Sequence, residues 1–167
     1  MKQQFEYYIA RVGNDWFIDK KNTLGFIFRV PVMRLRLSVP MEENTGIIER
    51  RNGEDWETIE SSRTGTEISM FHPQYNANVN YTHVFNDSLE RELTVNADYN
   101  RFNSSNYNNQ RNLYIPAGRQ DSTLLQTINT TQAVNIYSAK LDFQTRFWGT
   151  GMLEAGGKWA LSQTDNR

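Results

Sequence analysis

The chain has 167 residues, a formal net charge of −1 and no cysteine. The near-zero charge gives no basis for nucleic-acid binding, and the lack of cysteine excludes thiolate metal sites, thiol catalysis and disulfide bonds. Hydrophobic residues make up 38%, below the ~45–50% of typical globular domains, whereas the aromatic content of 13% argues against disorder. No apolar run of ~18 residues occurs, so the sequence predicts no membrane-spanning helix.

Apolar and polar residues alternate along most of the chain, a pattern that places one residue type on each face of a β-strand. In chain order, the alternation predicts six strands over residues 4–18, 23–39, 66–85, 91–107, 124–147 and 151–166. The third strand is the clearest, since Tyr75, Ala77 and Val79 share one parity and asparagines occupy the other. The alternation over residues 133–147 spans about 15 residues, against ~5–6 for an ordinary strand.

Short and long connections alternate between these predicted strands. The short ones are polar turns at 19–22, 86–90 and 148–150, and the long ones are polar segments at 40–66 and 103–123. Outer-membrane barrels are built from long antiparallel strands with short turns at one end and long loops at the other. We therefore expect an all-β, antiparallel up-and-down meander of about six long strands that is part of a transmembrane β-barrel.

Aromatic residues cluster beside the short turns. Trp16 and Phe17 precede the first turn, Phe85 precedes the second, and Phe147 and Trp148 precede the third. Transmembrane barrels carry girdles of aromatic residues at the membrane interfaces. The sequence therefore predicts that the short-turn ends lie at one interface, with the apolar parity facing lipid and the polar parity facing the lumen.

Two groups of residues are candidates for ligand binding. The first is a lumen-facing polar patch on the third and fourth predicted strands, which could hydrogen-bond a plug or a hydroxyl-rich solute. Its members are Asn76, Asn78, Asn80, Asn96, Asp98 and Asn100. The second comprises Tyr107 and Tyr114, predicted as surface-loop residues that stack on sugar rings or aromatic ligands. Ordinary wall hydration and mobile loop filler are the alternatives for the two groups.

Charged residues of both signs extend the polar parity onto the last two predicted strands. They are Lys140, Asp142, Arg146, Glu154 and Lys158. Residues of opposite charge on neighbouring strands pair readily across a sheet, so we expect cross-strand contacts among them.

Catalytic and metal sites have little support. Only two histidines occur, His72 and His83, and the chain lacks the zinc-protease, nucleophile-elbow and phosphate-loop motifs. His83 shares the apolar parity of its strand, which favours an interfacial position. Metal ligation by this pair would need further ligands that no motif supplies. We predict a non-enzymatic protein with no cofactor and no metal.

Five short pieces of the chain carry a resemblance to a known family. They are Gly13–Phe17, Lys20–Phe26, Asn78–Tyr81, Leu93–Tyr99 and Leu153–Lys158. In this order they resemble the barrel region of TonB-dependent-receptor-like proteins of Gram-negative bacteria, in the group called outer membrane β-barrel family. The resemblance covers most of the chain. It implies an outer-membrane location and a role in nutrient or solute uptake.

The same resemblance implies the partners of the chain. These would be outer-membrane lipid, an N-terminal plug domain, further barrel strands, an inner-membrane energy-coupling complex, and a small solute or glycan. Residues 1–167 contain no recognisable signal peptide, plug or energy-coupling motif. Bacterial barrels have at least ~8 strands, and six strands leave two open edges. We therefore expect a partial barrel segment of a longer protein.

Two alternatives remain open at the level of sequence. One is a soluble all-β binding module, a carbohydrate- or lipid-binding sandwich or barrel. Its core would contain Leu93, Val95, Tyr99, Leu141 and Phe143. The other is a barrel-based protease or acyltransferase, which would require a convergent acid/base constellation.

Overall fold

The structure is a computed structural model and describes residues 1–85, 89–147 and 151–167. Over these residues the chain forms seven β-strands and one short 3-10 helix, Met41–Glu43. The strands are β1 (Lys2–Phe17), β2 (Asn22–Val39), β3 (Thr45–Asn52), β4 (Asp55–Val84), β5 (Glu92–Pro116), β6 (Ser122–Phe147) and β7 (Gly151–Asn166). Within the described residues, no helix is long and apolar enough to cross a bilayer.

All seven strands belong to one antiparallel sheet. Its order is β1-β2-β4-β5-β6-β7, and β3 pairs with β4 beside this path. The six strands on the path follow each other along the chain, which confirms the predicted meander. Each of these six is long, from 16 residues in β1 to 30 in β4, as the extended alternation of the sequence requires.

The two segments predicted as long loops are largely strand, so that part of the prediction is wrong. Residues 40–66 contain the 3-10 helix, β3 and the start of β4, while β5 continues through residues 103–116. Here both faces carry polar side chains, so no apolar stripe marks the strands. Their backbone groups nevertheless pair, and Asn52 lies opposite Asp55 at the β3–β4 hairpin. Gly53 adopts a φ of 71° in its two-residue loop, a conformation that favours glycine.

Asp19 holds the short turn between β1 and β2. Its carboxylate accepts hydrogen bonds from the backbone N–H groups of Lys21 at 2.7 Å and Asn22 at 2.9 Å, and from the Asn22 amide at 2.7 Å. The bond from Lys21, then that from the Asn22 side chain, lowers the pKa of Asp19, because both stabilise the charged carboxylate. Residues 86–88 and 148–150 of the other two predicted turns lie outside the described residues.

The described chain divides into two compact units. The first unit comprises Met1–Tyr7, Met33–His72 and Ser104–Thr131, and the second comprises Tyr8–Val32, Pro73–Asn103 and Gln132–Arg167. The predicted polar patch lies in the second unit, whereas Tyr107 and Tyr114 lie in the first.

No hydrophobic side chain is buried among the described residues. In the second-unit part of β4, Tyr75 and Val79 are 38% and 49% exposed, and the asparagines of the opposite parity are half-buried. A sheet that leaves its apolar side chains exposed in this way needs an apolar environment on that face.

The core of the soluble alternative is not found in the described part of the chain. Leu141 is 48% exposed, and the other four residues assigned to that core are half-buried at most. The sheet therefore lacks the second layer that a sandwich would place over its apolar face.

Adjacent glycines in β7 provide a test of the described packing. A Cβ added at Gly156 would lie 2.7 Å from the carbonyl oxygen of Leu141 and 2.6 Å from Oδ1 of Asp142, whereas one added at Gly157 would meet nothing within 4 Å. We expect Gly156→Ala to lower the free energy of unfolding by about 1–3 kcal/mol, because the β6 backbone must shift. Chemical denaturation of the folded protein measures this change.

Gly157→Ala is the matched control and should leave stability unchanged or slightly raised, since glycine weakens a strand interior. Equal destabilisation by the two substitutions would contradict the described β6–β7 register.

Candidate functional site

Hydrogen bonds join the predicted polar patch across three strands. Asn76 donates from its side-chain amide to Oδ1 of Asn100 at 2.8 Å, and Asn78 donates to Oδ1 of Asp98 at 2.7 Å. The hydroxyl of Ser138 donates to Oδ2 of Asp98 at 3.2 Å. A row of side-chain hydrogen bonds therefore runs from β4 through β5 to β6 on one face, as facing residues of antiparallel strands allow.

The other two patch residues lie on the same face. Asn80 lies beside Gly25 of β2 and Asp15 of β1, because a Cβ at Gly25 would overlap both side chains. Gly25 is buried, and its missing side chain leaves room for these two polar groups. Asn96 is half-buried on the polar parity of β5. The structure thus pairs four of the predicted residues directly and places Asn80 against β1 and β2.

A pocket of about 350 Å³ opens beside this row. Its lining residues are Ile27, Arg29, Asn76, Ala77, Asn78, Asp98 and Asn100. Arg29 brings a guanidinium with five N–H donors, while the amides both donate and accept. Among the described residues Arg29 has no ion-pair partner. Arg29 was not among the predicted site residues, although its parity in the second predicted strand already placed it on the polar face.

A larger pocket of about 490 Å³ lies on β5, β6 and β7 of the second unit. Its lining residues are Glu92, Thr94, Lys140, Asp142, Phe143, Gln144, Glu154, Ala155, Gly156, Gly157 and Lys158. The ammonium of Lys140 binds the carboxylate of Asp142 at 2.7 Å. Four of the five mixed-sign residues predicted for these strands line this pocket, but the Lys140–Asp142 pair lies within β6 and is not the predicted cross-strand contact. Arg146 is the exception, since it forms an ion pair with Glu90.

Polar and aromatic groups meet on the apolar parity near the short turns. The side-chain oxygen of Asn22 accepts a hydrogen bond from the Tyr81 hydroxyl and lies 2.7 Å from Nδ1 of His83. The His83 and Phe85 rings meet edge to face with centroids 4.5 Å apart, and the Arg91 guanidinium lies 5.5 Å from the Phe85 centroid. Such rings with polar tips are typical of membrane interfaces.

The structure describes two of the four remaining side chains of the predicted aromatic girdle. Trp16 and Phe17 are 66% and 77% exposed at the end of β1. Trp148 and the side chain of Phe147 lie outside the described residues.

Tyr107 and Tyr114 do not lie in a loop, which corrects their predicted setting. Both belong to β5, because the Asn- and Ser-rich segment pairs as strand instead of looping out. Tyr107 is 40% exposed and borders a groove of about 340 Å³ in the first unit, together with residues such as Arg36 and Glu67. Ligand contact by the two tyrosines stays a prediction.

The described part of the chain contains no cluster of side chains that could bind a metal ion. No group of three or more His, Asp or Glu side chains there is arranged to hold an ion. His72 instead places Nε2 3.2 Å from Oδ1 of Asn106 on β5, within the first unit.

Comparison with known proteins identifies the family. The model of the outer membrane protein beta-barrel family matches residues 83–167, half of the chain. The chain belongs to this family. No curated protein matches it.

Membership explains the two faces of the sheet. The wall of an outer-membrane barrel alternates apolar residues towards lipid and polar residues towards the lumen. For this outer-membrane barrel protein we therefore expect the parity of Tyr75 and Val79 to face lipid and the asparagine row to face the lumen. The strand ladder satisfies the backbone groups of the strands that have a neighbour on both sides, as a bilayer requires.

Neighbouring residues of β5 test this assignment. Ala97 is exposed on the lipid parity, and Asn96 is half-buried on the lumen parity. We expect Ala97→Arg to lower the free energy of unfolding in bilayers by about 2–4 kcal/mol if it lies at the midplane, because a charge there meets hydrocarbon. Equilibrium unfolding from lipid vesicles measures this loss.

Asn96→Arg is the matched control and should change stability far less, since a lumen residue remains hydrated. The assignment of faces would be wrong if Asn96→Arg were the more damaging substitution.

Proposed function

We propose that this chain is a non-catalytic wall segment of a TonB-dependent-receptor-like barrel that takes up a small polar solute. The observation that carries the proposal is the lumen face of the second unit. There a hydrogen-bonded row of polar side chains borders one pocket, and a second pocket lined by polar and charged side chains lies on β5, β6 and β7. A purely structural wall needs hydration on this side but has no need of shaped polar pockets.

The five family-like sequence pieces support the receptor assignment. Three of them contribute directly to the lumen face, namely Asn78–Tyr81, Leu93–Tyr99 and Leu153–Lys158, which supply Asn78, Asp98 and Lys158 among others. The pieces that resemble the family therefore supply part of the lining of both pockets.

The chemistry of the face suits transient binding of a solute. Amides donate and accept, so a hydroxyl-rich or peptide-like molecule can exchange hydrogen bonds along the row. The groups remain partly hydrated, so each contact is weak. Passage requires binding that is favourable enough for entry and weak enough for release.

The partners we propose follow from the surfaces. The lipid-facing parity contacts outer-membrane lipid, and the lumen face contacts a plug domain when no solute is bound. In the described sheet β1 and β7 each have a neighbour on one side, so further barrel strands pair with their open edges. An inner-membrane energy-coupling complex supplies the energy for uptake.

Energised uptake is the property that distinguishes a receptor from a passive pore. Cells with and without the protein are supplied with a defined mixture of tripeptides, oligosaccharides and iron chelates, and periplasmic contents are measured by mass spectrometry. We expect at least one class to accumulate only when the protein is present, and a protonophore to abolish this accumulation.

A variant pair links the result to the lumen face. Asn78→Leu, on the polar row, should reduce accumulation several-fold by removing the bond to Asp98, and Ala97→Leu, on the lipid face, should not. Protein-dependent accumulation that survives the protonophore would contradict an energised receptor.

A further inference from the structure

The larger lumen pocket separates its charges along the strand direction. In the β6–β7 register Lys140 lies opposite Lys158, Asp142 opposite Gly156, and Gln144 opposite Glu154. One end of the pocket therefore holds two ammonium groups. The other end holds the carboxylate of Glu154, with Glu92 of β5 also in the lining.

Two of these charges have no partner within the described residues. Asp142 neutralises Lys140 at 2.7 Å, which leaves the facing Lys158 without a carboxylate. No ion pair or hydrogen bond of the described residues involves Lys158 or Glu154. The two residues do not pair with each other in the described structure, and four residues of strand separate their Cα atoms by about 13 Å.

The floor between the two ends is kept open by glycine. A Cβ at Gly156 would overlap the Asp142 carboxylate and the Leu141 carbonyl oxygen, so this position has no side chain and the pocket keeps its depth. Thr94 and Gln144 border the same space and supply a hydroxyl and an amide. The hydroxyl of Thr94 is oriented towards Glu92, with Oγ1 3.3 Å from its Oε1.

We propose that this pocket binds a short zwitterionic peptide of about three residues. Its α-carboxylate lies at Lys158, its α-ammonium lies at Glu154, and its peptide groups hydrogen-bond Gln144 and Thr94. An extended tripeptide spans about 10 Å. The Cα atoms of Glu154 and Lys158 are ~13 Å apart, and the flexible Lys158 side chain can bend towards the peptide to bridge the difference. The proposal deepens the proposed function by naming the solute class of the lumen face.

Other solute classes match the pocket less well. A simple anion would satisfy Lys158 but would approach Asp142 and Glu154, and a simple cation would meet the two lysines. A neutral sugar would leave Lys158 and Glu154 both uncompensated. Only a molecule with opposite charges at its two ends neutralises both residues together.

Binding of trialanine to the full-length protein, purified from outer membranes in detergent, tests the proposal. Saturation-transfer NMR titration compares trialanine with N-acetyl-trialanine, which lacks the ammonium, and with trialanine amide, which lacks the carboxylate. We expect each blocked peptide to bind about fivefold more weakly, in the range of exposed ion pairs. Single alanine, too short to reach both ends, should bind as weakly, and added salt should reduce the difference.

Charge exchange provides the sharper test. Lys158→Glu and Glu154→Lys should each weaken trialanine binding, whereas the double variant reverses the direction of the charges and should restore it. Lys20→Glu, an equal charge change on the exposed β1–β2 turn, is the control and should leave binding unchanged. If a reversed single variant fails to fold, Lys158→Gln and Glu154→Gln remove each charge with little change of shape.

The proposal is overturned if trialanine does not bind, if blocked peptides bind equally well, or if Lys20→Glu weakens binding as much as Lys158→Glu. This failure is separable from failure of the proposed function. Protonophore-sensitive accumulation of oligosaccharides or iron chelates without tripeptides would leave a receptor standing and remove the peptide site. Trialanine binding together with protonophore-resistant accumulation would leave the peptide site standing and contradict an energised receptor.

Discussion

The exposed apolar face is the constraint on which the rest of the molecule depends. The described residues contain no buried hydrophobic side chain, so stability cannot come from a core in which one layer packs on another. What remains is the hydrogen-bond ladder of the seven strands, six of them long, and the transfer of one face from water into an apolar phase. Membership of the outer membrane protein beta-barrel family supplies that phase, because the bilayer takes the place of the missing second layer.

The same constraint frees the opposite face for function. Since this face need not form a core, it can hold amides, carboxylates and ammonium groups that a small globular domain could not bury. The Asn76–Asn100 and Asn78–Asp98 bonds fix a polar row across β4 and β5, and glycines at positions 25 and 156 make room for neighbouring polar groups. The polar face thus combines an ordered amide row with charges that the described residues leave uncompensated.

Period-2 alternation was sufficient to predict the meander, the six long strands and the parity of the asparagines. Successive side chains of a strand point to opposite faces, so every second residue must suit the apolar phase and the others must suit water. It failed between residues 40 and 66 and again at the end of β5, because β3, the start of β4 and the last part of β5 carry polar side chains on both faces and have no apolar stripe. The Asn52-Gly53 dipeptide was the available signal for that hairpin. Arg29 and Gly156 were missed as pocket residues. Whether they line a pocket depends on which strands lie side by side and in what register, and a local sequence pattern does not show this.

The assignment of one face of β4 to lipid and the other to the water-filled lumen can be tested directly. The chain has no cysteine, so single cysteines placed in turn at residues 75–80 carry a spin label without background. In lipid vesicles, collision with dissolved oxygen reports a lipid environment and collision with a water-soluble nickel chelate reports the lumen. We predict oxygen contact at positions 75, 77 and 79 and nickel contact at 76, 78 and 80. Uniform accessibility along the strand, or the reverse alternation, would contradict the account.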